Sequence, residues 1–304
     1  MYTRRMIMNT TDDSLHADMG ALRSALDEAD AILIGAGAGL SAAAGLLYMD
    51  FTTFGDWFPG YHEKYGLRYI YEAAFFDFPS VEEYYAYWTR HISMIRFRHP
   101  AGRPYLDLYS IVKGRTYFVL TTNVDGQFVK AGFNQNRVCT PQGDYAYFQC
   151  SRPCSNDLYP NQEIVESLLA SMASGSFAIR SEDIPRCPHC DSFLEPNIRK
   201  GSNFVESPWM EKYHDLNKFL ERSGSGKLLL LEFGVGFNTP SIVRYPFERI
   251  AATHGDSLLI RVNRDDAGTT LIKRSVRVKT YAGDAGLFLS ALAATMAVNQ
   301  NPKR

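Results

Sequence analysis

The sequence predicts an α/β fold, and three observations carry that prediction. Short apolar runs bounded by turn residues are typical of buried strands, and they occur at 31–34, 116–121, 228–233 and 257–262. Segments with helical spacing of apolar residues alternate with these runs. The chain has 304 residues, 45% of them hydrophobic, which is enough for one large domain with an appended lobe.

The helical segments are recognised by one apolar face each. The first is predicted over 14–29, with Asp12, Asp13 or Ser14 as its cap, and its apolar face carries Leu15, Met19, Leu22 and Leu26. The second is predicted over 81–98, since it opens with acids, ends with bases and carries a stripe of Tyr84, Trp88, Ile92 and Ile95. The last periodic segment, 283–298, predicts a closing helix.

Charge and composition exclude several classes of partner. The 32 basic and 33 acidic side chains give a net charge of -1, so no footprint for nucleic acid or an anionic membrane is expected. The first twenty residues lack the apolar core of a signal peptide, which predicts a cytoplasmic protein. The partner is expected to be a small molecule or another protein.

Four of the five cysteines are paired along the chain. Cys150 and Cys154 form a CxxxC pair, and Cys187 and Cys190 form a CxxC pair in RCPHC. Two such pairs can close a tetrahedron of thiolates around zinc, and a four-sulfur site leaves no open position for catalysis. The spacing therefore predicts a structural zinc; the alternative is four unrelated buried cysteines. Cys139 is left over and is expected to be buried in a strand.

A glycine-alternating run, IGAGAGLSAAAGL at 34–46, follows the first strand. Backbone amides at such a turn bind pyrophosphate, although glycines also serve sharp turns without a ligand. A hydride-transfer fingerprint is disfavoured, because Leu40 stands where GxGxxG requires glycine and Gly55 where an acid is expected.

A second polar stretch, TTNVDGQF at 121–128, begins where the strand at 116–121 ends. Ligands of α/β proteins bind at the carboxyl edge of the sheet, so Asn123 and Asp125 are expected to face the cleft. The alternative for Asp125 is that it only caps the following helix.

These motifs together resemble the sirtuin family. GAGxGLSxxxGL, TTNVDGQF, the paired cysteines, FGVGFN, RVN and AGDAG occur in the family's order and spacing over nearly the whole chain. The resemblance implies a Rossmann-like parallel-sheet lobe that binds NAD and a smaller zinc-bearing and helical lobe. It places the large lobe at 14–46, 103–144 and 202–298, and the small lobe, with a helical module and a zinc module, at 47–102 and 145–201.

The resemblance also implies roles for particular residues. The glycine turn and the serine after it would contact phosphate and ribose: Gly35, Ala36, Gly37, Ala38, Gly39 and Ser41. Thr122, Asn123 and Asp125 would hold the nicotinamide ribose and carboxamide. The adenosine side would be contacted by Gly234, Val235, Gly236, Asn238, Asn263 and Asp284.

Two departures from the family pattern change the expected chemistry. The chain continues after the glycine turn with LLYMDFTTF, so the Asp-Phe-Arg of most sirtuins loses its arginine. In PQGDY, Gln142 stands where the family has the histidine that acts as general base. A glutamine amide orients groups by hydrogen bonds but does not take up a proton near neutral pH, so glycosidic cleavage is expected to survive and deacylation to be impaired.

Glutamine in this place resembles the macrodomain-linked, or class M, sirtuins. That resemblance implies NAD-dependent protein ADP-ribosyltransferase activity, with a lipoyl-bearing carrier of the glycine-cleavage H type as acceptor and a macrodomain hydrolase as partner. The catalytic residues would be Asn123, Gln142 and Asp125. Two alternatives remain: an NAD-dependent lysine deacylase or delipoylase, and an NAD-hydrolysing or ADP-ribose-binding sensor.

Overall fold

A computed structural model describes residues 12–268 and 277–297, with side chains from Met19 onward. Nine strands lie in this part of the chain: Ala31–Ala36 (β1), Tyr117–Thr121 (β2), Val138–Cys139 (β3), Gly143–Cys150 (β4), Tyr159–Pro160 (β5), Leu194–Ile198 (β6), Leu228–Phe233 (β7), Ser257–Asn263 (β8) and Val278–Ala282 (β9). Six of them form one sheet in the order β3-β2-β1-β7-β8-β9, and every pair in it is parallel. The predicted α/β class and parallel sheet are confirmed.

The four apolar runs become the four central strands of this sheet. Every residue of β1, β2 and β7 is buried, as expected of strands covered on both faces. The sequence predicted a strand at Cys139, which is β3, but it did not predict β9, because β9 is a partly exposed edge strand without an apolar run.

A second, antiparallel sheet has the order β5-β4-β6. It lies in the part of the chain that carries the paired cysteines, and Cys150 is the last residue of β4. The register of β4 against β6 shifts between Gly143 and Phe148.

Twelve α-helices lie in the described residues: Asp12–Glu28 (α1), Ala38–Ala43 (α2), Phe51–Trp57 (α3), Tyr61–Tyr65 (α4), Ile70–Ala73 (α5), Val81–Ile92 (α6), Arg103–Val112 (α7), Gln127–Lys130 (α8), Gln162–Ser171 (α9), Ser207–Arg222 (α10), Arg244–Thr253 (α11) and Ala285–Ala297 (α12). The prediction for 81–98 needs a correction, because α6 ends at Ile92 and a π-helical turn covers Ser93–Arg98. Asp13 and Ser14 lie within α1 rather than at its cap. Val298 and the side chain of Leu15 lie outside the described residues.

Hydrophobic clusters cover both faces of the parallel sheet, and a separate aromatic cluster packs the helical segment between α2 and α7 against β4. Trp88, Ile92 and Ile95 of the predicted stripe are buried in that aromatic cluster. The exact lobe boundaries stay a prediction. Within the described residues, no helix combines the length and the apolar character needed to cross a bilayer.

Candidate active site and metal centre

The predicted polar residues converge at the carboxyl edge of the parallel sheet. The glycine turn follows β1, the stretch from Thr122 to Gly126 follows β2, and the turn that begins at Gly234 follows β7. The backbone N–H of Thr122 donates to the Ala36 carbonyl over 3.1 Å, which joins the first two turns. Parallel strands thus bring together three segments that are far apart in sequence.

Close backbone contact explains the glycine run. A Cβ at Gly37 would lie 2.7 Å from the Gly234 carbonyl oxygen, and one at Gly39 would lie 2.6 Å from the Gly234 Cα. Gly35 faces Phe247, where a Cβ would lie 2.6 Å from the ring. The N–H groups of Gly37 and Gly39 donate to the carbonyls of Phe233 and Gly234, whereas Ala38 is exposed. Packing therefore requires these glycines, and Ala38 and Gly39 are the exposed residues of the turn.

Asn123 is buried and held by both of its amide hydrogens. Its Nδ2 donates to the Gly37 carbonyl over 2.9 Å and to the Tyr105 hydroxyl over 3.1 Å. Its backbone N–H donates to the Thr121 hydroxyl over 3.0 Å. Because both donors of the amide are used, Oδ1 is left as an acceptor, and no described residue donates to it. An acceptor in a fixed position suits a ribose hydroxyl.

Asp125 is buried beside Asn123 and is linked to the glycine turn. The Ser41 hydroxyl donates to Oδ2 over 2.5 Å, and the Gln127 backbone N–H donates to Oδ1 over 3.0 Å. Ser41 Oγ also lies 2.9 Å from the Tyr105 hydroxyl. Burial raises the pKa of Asp125 above its ordinary value, and the bonds from Ser41 and Gln127 oppose that shift. Asp125 does accept a hydrogen bond from the start of α8, as the alternative interpretation expected, but it also belongs to the polar cluster.

Asp125→Asn is expected to raise the melting temperature by about 2 °C or more while lowering activity. The raised pKa means that the folded state binds this proton more tightly than the unfolded state, so stability falls as the pH rises through the window above the ordinary pKa. Asparagine removes the buried charge and keeps an acceptor for the Gln127 N–H. Thermal unfolding at pH 4 and 7.5 measures the effect, and the gain should be larger at pH 7.5; a lower melting temperature of the variant at pH 7.5 would contradict it.

Gln142 lies in the turn directly before β4, and its side chain is half-buried. Its carbonyl accepts from the Arg199 N–H over 3.0 Å, and Arg199 Nε donates to the Pro141 carbonyl over 3.3 Å. Gly143 has φ of 96°, and a Cβ there would collide with the Asn197 carbonyl oxygen. The backbone of this turn is therefore closely constrained, whereas no described residue bonds to the Gln142 amide.

A buried histidine, His91, does not replace the missing base. Its Nδ1 lies 2.9 Å from the Tyr87 hydroxyl, and its ring packs 4.7 Å from the ring of Tyr145 in β4. Burial lowers the pKa of His91 to about 3. A general base works best with a pKa near the operating pH, so this imidazole is a poor proton acceptor at neutral pH.

The residues predicted to contact adenosine lie beside buried charged side chains. Asn263 Nδ2 donates to the Val235 carbonyl over 2.8 Å, and Arg244 donates to the same oxygen over 3.1 Å. Arg261 forms buried ion pairs with Glu232 and Glu248 over 2.7 and 2.6 Å. Gly236 and Asn238 are exposed. Asp284 caps α12 by accepting from the Gly286 N–H over 2.8 Å.

Sequence reasoning missed three residues of this site. Tyr105 joins Ser41 to Asn123, Arg199 contacts the Gln142 turn, and Arg96 pairs with Asp144 over 2.6 Å. None of them stands in a recognisable motif, since each reaches the site from a distant element. Arg96 had been placed only as a basic residue at the end of a helix.

The four paired cysteines form one cluster that fits zinc. Their Sγ atoms lie within 4.8 Å of one another, with Cys150 and Cys190 3.5 Å apart and Cys154 and Cys187 also 3.5 Å apart. A tetrahedron with zinc–sulfur bonds of about 2.3 Å requires sulfur–sulfur distances of about 3.8 Å. His189 bonds to Asp157 over 2.8 Å instead. The cluster therefore has the geometry of a closed structural zinc site. Cys139 is buried in β3, as predicted.

Comparison with known proteins agrees with this geometry. The protein ADP-ribosyltransferase of Staphylococcus aureus (strain Mu50 / ATCC 700699) is 36% identical over 245 residues, which cover 80% of this chain and 77% of that protein. A probable bifunctional ADP-ribose hydrolase/ADP-ribosyltransferase of Fusarium oxysporum f. sp. cubense is 33% identical over 267 residues, covering 84% of this chain and 44% of its own length. A solved Sir2 homologue in complex with NAD superposes with a TM-score of 0.61 at 16% identity, over 92% of this chain and 94% of that one. No family model matches the chain.

The identity to the Staphylococcus protein establishes the family, and the superposition with the Sir2 homologue agrees with it at the level of the fold. The chain belongs to the family of the Staphylococcus protein ADP-ribosyltransferase and has the Sir2 fold, and it is an NAD-dependent ADP-ribosyltransferase.

Proposed function

We propose that this enzyme transfers ADP-ribose from NAD to a protein acceptor and releases nicotinamide. The observation that carries the proposal is the buried pair of Asn123 and Asp125, in which Asn123 presents a fixed acceptor. The family pattern adds the expectation that Gln142 takes the place of the general base that deacylation needs. Positioning and electrostatic stabilisation are enough for cleavage of a glycosidic bond, whereas the later steps of deacylation need a proton acceptor.

The bonds, electrons and protons of ADP-ribose transfer can be accounted for without a basic side chain of the enzyme. The bond between the ribose carbon and the nicotinamide nitrogen breaks, and its electron pair leaves on the nicotinamide ring. A bond forms from the acceptor's nucleophilic atom to the same carbon, and any proton released goes to water. In this scheme Asn123 and Gln142 orient the ribose and the attacking group, and Asp125 fixes the nicotinamide. Exclusion of other nucleophiles would favour transfer over hydrolysis.

For the cofactor we propose the contacts that the sirtuin pattern implies. Thr122 and the glycine turn, which comprises Gly35, Ala36, Gly37, Ala38 and Gly39, would lie along the phosphates and the nicotinamide ribose, with Ser41 beside Asp125. The adenosine would lie against the turn after β7 and the ends of β8 and α12, which contribute Gly234, Val235, Gly236, Asn238, Asn263 and Asp284. The thiolates of Cys150, Cys154, Cys187 and Cys190 would hold the zinc, which a reducing cytoplasm favours.

We further propose that the enzyme belongs to the class M sirtuins and that its acceptor is a lipoyl-bearing carrier of the glycine-cleavage H type. A macrodomain hydrolase would be the reversing partner. The bifunctional name of the Fusarium protein supports this pairing, since it combines hydrolase and transferase in one chain.

The test is intact-mass spectrometry of lipoylated and unlipoylated carrier protein and of an acyl-lysine peptide, each incubated with the enzyme and NAD. We expect a mass gain of one ADP-ribose on the lipoylated carrier and no change in the peptide. Modification of both carrier forms would retain the transferase and remove the lipoyl requirement. Loss of the acyl group with no adduct would identify a deacylase, and nicotinamide release with no modified protein would identify an NAD hydrolase; either would overturn the proposal.

A further inference from the structure

Arg96 forms a two-point ion pair at the edge of the proposed active site. It lies in the π-helical turn Ser93–Arg98, and its Nε and Nη2 donate to the two carboxylate oxygens of Asp144 over 2.6 and 3.3 Å. Both side chains are mostly buried, with 15% and 12% of their surface exposed. A buried, bidentate arginine–carboxylate pair fixes orientation as well as distance.

The same guanidinium packs against the turn that carries Asp125. Gly126 follows Asp125 directly and has φ of 70°, in the left-handed region that favours glycine. A Cβ on Gly126 would collide with the Arg96 guanidinium, so the missing side chain at this position makes room for the arginine. Arg96 therefore contacts the turn after β2 on one side and Asp144 on the other.

Asp144 is two residues beyond Gln142, at the start of β4. Its Oδ1 accepts from Arg96 and also from the Ala146 N–H over 2.7 Å, so the ion pair holds the carboxylate and the strand backbone together. The backbone N–H of Tyr145 donates to the Val124 carbonyl over 3.0 Å and forms a second link between the two turns. The Arg96–Asp144 ion pair joins the same two turns one residue closer to Gln142 than this backbone bond does.

Packing alone does not set the separation of these turns. A small cavity of about 40 Å³ lies between them, and Asp125, Gly126 and Asp144 are among its lining residues. A volume of this size holds one or two waters, so the turns are not in continuous contact. Without the arginine, the backbone bonds of Gln142 with Arg199 and of Tyr145 with Val124 would remain, so we expect a shift of the Gln142 turn relative to Asn123 by a fraction of an ångström and no unfolding of the turn.

We propose that Arg96 is a positioning residue that sets the place of Gln142 relative to Asn123 and Asp125. It acts through Asp144 and Gly126 and touches no reacting atom. The inference rests on the proposed function, because only a transferase needs Gln142 aligned with an incoming acceptor. Its consequence is that loss of the ion pair separates two activities: NAD is still cleaved, but the ribose is lost to water more often than to the acceptor.

Arg96→Lys tests the inference, since lysine keeps the charge but not the bidentate geometry. Nicotinamide release and acceptor modification are measured in the same reaction. We expect the ratio of transfer to hydrolysis to fall by about 10-fold or more, because misplacement by 1 Å costs up to about 100-fold, while the KM for NAD changes by less than about threefold. Arg98→Lys is the matched control, since Arg98 lies in the same turn and is exposed; it should leave the ratio unchanged.

A second variant, Asp144→Asn, removes the charge from the other side. Asp144→Asn should also lower the ratio of transfer to hydrolysis. The ratio of the double variant should be no lower than that of the more impaired single variant, because the two residues act as a unit. An unchanged ratio in Arg96→Lys, or an equal loss of cleavage and transfer, would overturn the positioning role.

Hydrogen exchange separates this inference from the proposed function. The amides of 142–146 should exchange about 10-fold faster in Arg96→Lys than in the wild type or Arg98→Lys, since the pair holds this turn. Unchanged exchange would overturn the inference even if the wild type modifies its acceptor. If the wild type modifies no acceptor, the proposed function fails. Faster exchange in Arg96→Lys would still show that Arg96 holds the turn that carries Gln142.

Discussion

Gln142→Ala is expected to lower the rate of ADP-ribose transfer by about 100-fold to 1,000-fold, while the affinity for NAD changes by less than about threefold. The side chain is half-buried in the turn directly before β4, and no described residue bonds to its amide, so its hydrogen bonds remain for the ligands. Removal of a group that orients the reacting atoms acts on the transition state far more than on the bound cofactor.

The measurement is the rate of adduct formation on the acceptor together with NAD binding by calorimetry. Gln162→Ala is a matched control, because Gln162 is an exposed glutamine on α9 whose side chain bonds only to Glu166 among the described residues. Wild-type transfer by Gln142→Ala would remove Gln142 from the mechanism. Asn123→Ala should lower the transfer rate by a similar factor, because it removes the Oδ1 atom proposed to accept a hydrogen bond from the ribose hydroxyl.

Gln142→His tests whether the missing base alone separates the two chemistries. A histidine in this half-exposed position can keep a pKa near neutral, unlike buried His91. We expect measurable release of acyl-ADP-ribose from an acyl-lysine peptide, with reduced modification of the acceptor. Absence of any deacylation in a folded, NAD-binding variant would mean that other differences, such as the altered loop after the glycine turn, also block it.

Removal of the metal from the cysteine cluster is expected to have the largest effect on stability. Zinc affinity in comparable four-ligand sites is about 10–16 kcal/mol in peptides, which matches or exceeds the total stability of many domains. The cluster joins the end of β4 to the segment before β6, so its loss frees the end of the second sheet where Cys150 pairs with Leu194. We expect Cys187→Ser to abolish zinc binding and to lower the melting temperature by about 10 °C or more.

Metal content by mass spectrometry of the intact native protein and thermal unfolding with and without a strong chelator measure this effect. About one zinc per chain is expected in the wild type. Cys139→Ala is the matched control, because Cys139 is a buried cysteine outside the cluster; it should retain zinc. A chelated protein that keeps its metal-bound melting temperature would contradict a structural role for the site.

The sequence by itself determined the elements whose signal is local. Strands buried on both faces are predominantly apolar, so β1, β2, β7 and β8 could be recognised as runs, and their parallel pairing followed from the helices between them. The cysteine spacing predicted the metal cluster because each knuckle is a short local motif. The absence of the general base was visible at Gln142, although it could be interpreted only through the family pattern.

Tertiary structure alone decided how the site is held. Ser41 meets Tyr105 across 64 residues and Asp125 across 84, and Arg96 reaches Asp144 across 48. Such contacts leave no local pattern, because each side chain is an ordinary polar residue within its own segment. The same holds for the glycine run, whose close approach to Gly234 depends on the pairing of β1 with β7. The local sequence determines which groups can do the chemistry, whereas their alignment depends on packing between elements that are distant in the chain.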